Sequence, residues 1–482
     1  MKALGVIIAF ALVTGCSHLN THPRSLFHRF SSDALTTDFS LIRSALEEAH
    51  PGLYDFRSRA EMDALFDRLQ SELSRDMTEL EFLQRIAVLN GAIGCGHTAI
   101  VPSLGTRNQL MSTAGLFPGD IRIVDARMFL LRCYAPGSEA LDGSEILAVN
   151  GSPAGMLLER FLDVLPSDGV NVTHRYRMLD ERMRYYYAAF VGTPETFEIR
   201  LRRPDGAEQT VTVPAMAEHA MRTHARYMDP DREDPEPYAL EISEDTSTAV
   251  LTIRTFGMTD RYESFLADAF GKLRDHAIRN LIIDLRGNGG GEDEYGAKLV
   301  SYLIDQPFRY YRSLETRTDR IHFQEYTDIT PEEVREYQSI LEPGTDGGFQ
   351  VAIGQHPCLS EIPPTEPVFR GRVLVLIDGG SFSATSEVSA VLDHLGRAEF
   401  AGEETGGRYD GNNSGYMPTL TLPATGIRVF IPLMKYVVAV DDPPIRGRGV
   451  MPDYTIEPSL SDEMTGMDRV MNEARAIVAR TE

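Results

Sequence analysis

Between residues 249 and 392 short apolar runs alternate with amphipathic ones, and this alternation restricts the fold more than any other feature of the chain. The runs 249–253, 281–285 and 373–377 read as strands, while 265–273, 295–304 and a stretch through Val391 and Leu392 carry apolar residues at helical spacing. Strands alternating with helices predict an α/β fold around a largely parallel, buried sheet. In such a sheet, active sites collect where strands end and helices begin.

Two of those ends are unusual. The first reads Asp284-Leu285-Arg286-Gly287-Asn288-Gly289-Gly290-Gly291. A dinucleotide fingerprint would need a glycine where Glu292 stands, and a phosphate-binding loop would need Gly-Lys-Ser/Thr, so phosphate binding is excluded. What remains is bare backbone able to approach a ligand and to aim amide N–H groups at a developing negative oxygen. The second reads Gly379-Gly380-Ser381-Phe382-Ser383-Ala384-Thr385-Ser386-Glu387. A serine at a sharp strand-to-helix turn is exposed as a nucleophile, with the next N–H beside it at the helix start. The competing role for such a serine is that of an ordinary helix N-cap.

Upstream, the pattern differs. Leu41, Ile42, Ala45 and Leu46, then Met62, Leu65, Phe66, Leu69 and Leu73, fall on helical faces, and Thr78 with Glu81 forms a capping box ahead of a third run. Residues 37–105 are therefore read as an N-terminal helical domain and 17–36 as a polar tether. Residues 106–216 show short runs punctuated by turn signals and are read as a β-rich module. They include an Asn150-Gly151 turn and a hairpin at Pro204-Asp205-Gly206. The strand and turn over 143–151 resemble those of PDZ domains, which implies capture of an extended peptide by strand addition. Residues 217–236 read as a connection and 325–366 as a surface insertion; 237–482 is the core.

At the N-terminus, Met1 and Lys2 precede an apolar run over 3–13, followed by Thr14-Gly15-Cys16. The run is too short to span a bilayer, which takes about 20 residues, but it has the length of a secretory h-region. Val13-Thr14-Gly15-Cys16 resembles the bacterial lipobox, implying a signal peptide over 1–16, cleavage before Cys16 and lipidation of that cysteine. The expected location is then outside the cytoplasm, on a membrane through the lipid on Cys16, with Ser17 favouring the outer membrane facing the periplasm. Removing Cys16 from the four cysteines leaves three, which allow at most one internal disulfide and no zinc cluster. The formal charge of -24, from 47 basic and 71 acidic side chains, argues against a nucleic-acid partner.

Taken together, the glycine loop, the Ser381–Glu387 turn, Gly402-Glu403-Glu404-Thr405-Gly406-Gly407, Gly411 to Gly415, Ile431-Pro432-Leu433 and Gly449-Val450-Met451-Pro452-Asp453 resemble the C-terminal-processing and tricorn-type serine peptidases. The resemblance covers most of 240–458. It implies a ClpP/crotonase-like core, often with a PDZ module, and peptide-bond hydrolysis through an acyl-enzyme without metal or organic cofactor. By it, Ser383 is the nucleophile, while Gly289 or Gly290 and Ala384 supply the oxyanion donors.

A serine needs a base within reach. Processing peptidases of this kind use a lysine downstream of the serine, but no lysine stands between Ser383 and Lys435, and Arg408 at the matching spacing cannot deprotonate. The tricorn-like branch uses a histidine, and Gly94-Cys95-Gly96-His97-Thr98 resembles its Gly-His-Thr motif, which makes His97 the general base. That branch carries a glutamate just before its closing motif, where this chain has Arg446. The acid that would orient the imidazole therefore stays open among Glu403, Glu404, Asp441 and Asp442. Two rivals to a peptidase follow: a peptide- or ligand-binding lipoprotein whose catalysis has decayed, and an acyl hydrolase such as an esterase, since an oxyanion hole does not fix the acyl group.

Overall fold

The computed structural model describes residues 25–112, 115–223, 236–243, 247–257, 261–344, 347–443 and 445–480. The apolar run, the lipobox with Cys16 and the first part of the tether lie outside the described residues.

Six strands, Tyr238–Ile242, Thr248–Ile253, Asn280–Asp284, Arg372–Ile377, Glu399–Gly402 and Tyr454–Thr455, form the central sheet in that spatial order. The first pair is antiparallel and the remainder parallel. Side chains alternate between the two faces, as the pleat requires. Leu251, Leu281, Ile283, Val373 and Val375 join the main core, whereas Val250, Ile282, Leu374 and Leu376 pack beneath the C-terminal helix Arg469–Ala479 through Val470, Ala474 and Val478. Coverage on both faces explains why these strands are apolar throughout. Because Asn280–Asp284 and Arg372–Ile377 are neighbours, the glycine-rich loop and the serine turn that follow them emerge side by side.

The N-terminal segment folds as helices Ser32–Ala49, Arg59–Ser71, Glu79–Ile86 and Val88–Ile93. The first begins at Ser32, inside the stretch read as tether, because Ser31 accepts the Ala34 N–H and caps it. The Thr78 box closes with both its bonds, and Ser58 with Glu61 makes a second. After Gly94, in a left-handed conformation, ends the last helix, the chain passes through His97 into strand Ala99–Val101. That strand pairs with Arg428–Phe430, which pairs in turn with Thr419–Thr421. A second tie is Asp38, fully buried, whose carboxylate accepts from the amides of Ala424 (3.1 Å) and Thr425 (2.9 Å) and from the Thr425 hydroxyl (2.7 Å).

Residues 119–214 contain a six-stranded antiparallel sheet, with Gly119–Val124, Arg127–Cys133, Ser144–Val149, Thr196–Arg202 and Glu208–Pro214 in spatial order and the short Ser152–Pro153 beside Ser144–Val149. Asn150 and Gly151 turn with φ of 48° and 76°, both positive as a two-residue hairpin of this sequence demands. Two helices that the strand reading omitted, Ala154–Val164 and Thr173–Phe190, interrupt the sheet. The second is rich in tyrosine and arginine, and its helical apolar face (Leu179, Met183, Tyr187) is thin, so its period was hard to see. It closes the edge strand Gly119–Val124. Asp180 Oδ1 accepts from Ile123 N–H (2.7 Å), while Arg177 and Arg184 donate to the carbonyls of Ile123 and Gly119 (both 3.3 Å). Unpaired edge groups invite another strand, and here helix side chains occupy them. Strand addition at Ile123 would first have to displace Arg177 and Asp180.

The stretch read as a surface insertion is more ordered than its composition suggested. Thr330 and Glu333 form a capping box for helix Pro331–Ser339, and Leu341–Pro343 with Phe349–Val351 extends a five-stranded sheet.

Asp38→Ala would leave several buried donors at the 424–425 turn unpaired, each costing about 1–3 kcal/mol. Denaturant unfolding of this variant should show a loss of that order or more; a loss under about 0.5 kcal/mol, the level of an inert surface change, would show that the tie does not hold the helical segment.

Candidate active site

Two loops build the floor of the site, and hydrogen bonds stitch them together. Ser381 Oγ donates to the Leu285 carbonyl (2.9 Å), Asp378 Oδ1 accepts from Gly287 N–H (2.9 Å), and Phe382 N–H donates to the Asn288 carbonyl (3.1 Å). Asn288, fully buried, anchors its loop by donating from Nδ2 to the Ile253 carbonyl (3.0 Å). Behind the turn, Ser386 Oγ receives Gly407 N–H (3.0 Å) and donates to the Ser381 carbonyl (2.8 Å). Of the three serines in this segment, two are thus committed to structure.

Ser383 differs from both. It sits at φ 56° and ψ −129°, a region that non-glycine residues avoid, immediately before helix Ala384–His394. Its hydroxyl makes no capping bond, which removes the N-cap role as an explanation. Strain of this kind costs on the order of 1–3 kcal/mol and persists where surrounding bonds over-determine the backbone. The strained corner turns Oγ toward His97, whose Nε2 lies 3.1 Å away although the residues are 286 apart in sequence.

Close backbone approach makes that contact possible. A Cβ on Gly96 would stand 2.6 Å from the Phe382 ring, so only glycine lets the His97 segment settle on the serine turn. Phe382 lies between two imidazoles, stacked on His174 at 4.2 Å between centroids and tilted against His97 at 4.7 Å. His174 Nδ1 is 3.1 Å from the Gly379 carbonyl. His97 is 5 % exposed, and burial lowers its pKa to about 4, so the imidazole is neutral and free to accept a proton near neutral pH.

Of the expected oxyanion donors, Ala384 occupies the first turn of its helix, where an amide has no helical acceptor. Gly290 packs against Ser383: a Cβ on it would stand 2.8 Å from the serine Cβ and 3.0 Å from Ala384 N. Its own N–H is spent on Asn288 Oδ1 (3.0 Å). Gly290 is therefore required for its missing side chain, and its amide is already engaged.

None of the acids picked out from the sequence reaches His97. Glu404 forms a two-pronged pair with Arg448 (2.7 and 2.6 Å) and accepts Gly449 N–H (2.8 Å). Glu403 lies 3.6 Å from Arg177. Asp441 is almost wholly exposed beside His394, and Asp442 lines a polar cavity of about 260 Å³ with Arg312 and Lys435. Arg446 lies over the Phe56 ring, and Arg408 is buried against Asp55 and Asp410. The carboxylate that does approach is Asp168, which sequence reasoning missed: one of its oxygens, a His97 ring nitrogen and Cys95 Sγ all lie within 4.8 Å of one another. Leu165-Pro166-Ser167-Asp168-Gly169 reads as an ordinary turn, with nothing local to mark its aspartate.

Two groupings of histidine, cysteine and aspartate exist among the described residues, this one and Asp293 with His356 and Cys358. Burial pushes the Cys95 thiol up to about 11, and burial with nearby acids raises that of Cys358 well above its ordinary value, so neither presents a thiolate at neutral pH.

Residues 247–456 match the model of peptidase family S41, and the chain is a serine-type peptidase. The matched segment carries the glycine loop and Ser383 but stops short of His97. Among solved structures, the fold is similar to a point mutant of CPAF (15 % identity, 93 % of this chain and 97 % of that one, TM-score 0.65). It is also similar to mature CPAF (17 % identity, 93 % and 97 %, TM-score 0.61). No curated protein matches the sequence.

The depressed His97 pKa has a consequence for pH dependence. Loss of the base form should begin well below pH 6.5, with the acid limb of kcat/KM near pH 4 provided the fold survives. An acid limb at or above pH 6.5 would show that the imidazole titrates as if solvated.

Proposed function

We propose that the chain is an exported endopeptidase in which Ser383 attacks the scissile carbonyl and His97 is the general base. The observation that carries this reading is the strained Ser383 corner, whose uncapped hydroxyl meets a neutral, buried imidazole at 3.1 Å. As Oγ bonds to the carbonyl carbon, its proton passes to His97 Nε2, and the tetrahedral oxygen takes hydrogen bonds from the amides of Ala384 and Gly289. The imidazolium then returns its proton to the leaving amine, leaving an acyl-enzyme. Water repeats the sequence and frees Ser383.

Strain at the nucleophile supports this account over a binding role, because a decayed scaffold gains nothing from holding a serine in a costly conformation. The ClpP/crotonase-like assignment of the core and the PDZ-like assignment of the β-rich module belong to the same proposal. So does anchoring through Cys16 on a membrane outside the cytoplasm, which rests on the Val13-Thr14-Gly15-Cys16 pattern.

A fluorophosphonate probe should label the wild type and fail to label Ser383→Ala, while His97→Gln should slow labelling by roughly 10³-fold or more. Labelling that persists in Ser383→Ala would place the nucleophile elsewhere. A folded wild-type protein that takes up no probe and cleaves no peptide would overturn the hydrolase reading.

A further inference from the structure

His97 uses Nε2 on Ser383, yet its Nδ1 is buried with no hydrogen-bond partner among the described residues. An orphaned ring nitrogen in a dry site costs free energy and leaves the tautomer undefined. Asp168 carries the matching defect. Its Oδ1 accepts Gly96 N–H at 2.7 Å, from the residue next to His97, while its Oδ2 is buried and unpartnered. A His97 ring nitrogen and an Asp168 carboxylate oxygen lie within 4.8 Å of each other and of Cys95 Sγ, so the two unpartnered atoms belong to side chains that meet in one small space.

Resting on the peptidase reading above, we infer that Asp168 is the positioning residue of this site, its Oδ2 accepting the His97 Nδ1 proton so that Nε2 stays free to take the proton of Ser383. Catalytic hydrogen bonds often tighten only when substrate is bound, and a separation within 4.8 Å is compatible with that.

Three observations favour Asp168 over any other acid. First, its loop is fastened to both walls of the site: Gly169 N–H donates to the Gly94 carbonyl (2.9 Å) and Val170 N–H to that of Gly447 (3.1 Å), while Asn171 Nδ2 donates to Thr405 O (2.8 Å). Secondly, the other carboxylates of this region are engaged, Glu404 by Arg448, Asp55 by Arg408 and Lys435, Asp378 by the Gly287 and Gly380 amides, and Glu387 by Tyr311 and Asn412. Thirdly, the environment favours the charged form more than burial alone would allow. Burial raises the Asp168 pKa, and the Arg408 guanidinium, the Gly96 amide, His174 and the Arg408 backbone amide oppose that rise. Cys95 offers no alternative acceptor, since its protonated thiol points at the Asn413 carbonyl (3.6 Å).

Asp168→Asn separates this role from a structural one. The asparagine carbonyl can keep the Gly96 bond, while its NH₂ group would donate to Nδ1 and hold the proton on Nε2, the tautomer that cannot accept from Ser383. Acylation by the probe should then fall by roughly 10³–10⁴-fold with the thermal midpoint little changed. Nitrogen-15 NMR of the imidazole gives a readout that needs no turnover: His97 should carry its proton on Nδ1 in the wild type and on Nε2 in Asp168→Asn. An Nε2-protonated wild type, or an Asp168→Asn variant that is acylated at the wild-type rate, would overturn the inference. A wild type protonated on Nδ1 yet inert to the probe would instead uphold the positioning contact and defeat the peptidase reading.

Discussion

The whole arrangement depends on one hydrogen bond between residues that the chain itself keeps far apart. Neither the α/β core nor the helical segment contains a working pair. The hydroxyl stands at the serine corner of the core, and the imidazole that meets it stands in the segment after Gly94. Their meeting is secured by features with no chemistry of their own: the strand Ala99–Val101 paired into the core, Asp38 gripping the 424–425 turn, and the absent side chain of Gly96. Any change that loosens the helical segment therefore separates His97 from Ser383.

The same logic explains why the site tolerates strain. Ser383 is bracketed by bonds from Ser381 to Leu285, from Phe382 to Asn288 and from Ser386 to Ser381 and Gly407, so the turn has little freedom to relax. Each bond alone contributes about 1 kcal/mol, and together they outweigh the cost of one unfavourable φ. Rigid strands on either side make the arrangement reproducible from one catalytic cycle to the next.

How much of this was legible from the sequence depended on whether the signal was local. Three of the six strands of the central sheet were readable because burial on both faces makes them uniformly apolar, and their boundaries fall within a residue of the expected ones. Ser383 was marked by a strand-end motif and His97 by a short motif together with the lack of a lysine, and the fold brings the two to 3.1 Å. The helix Thr173–Phe190 was hidden because tyrosines and arginines blur its apolar stripe, and Pro331–Ser339 because proline and acids read as loop although Thr330 and Glu333 spelled its cap. Asp168 could not have been found locally. What distinguishes it is an unpartnered carboxylate oxygen on a side chain that meets the His97 ring, a relation that exists only after folding. Of the acids considered from the sequence, Glu403 is held by Arg177, Glu404 by Arg448, and Asp441 lies exposed beside His394.

A crystal structure of the protein with a peptide boronic acid tests the central claim most directly. The account predicts boron bonded to Ser383 Oγ, one boronate oxygen about 2.7–3.1 Å from the amides of Ala384 and Gly289, and His97 Nε2 in contact with the adduct. A boronate bound away from Ser383, or an adduct whose oxygen meets neither amide while His97 stays out of reach, would contradict it.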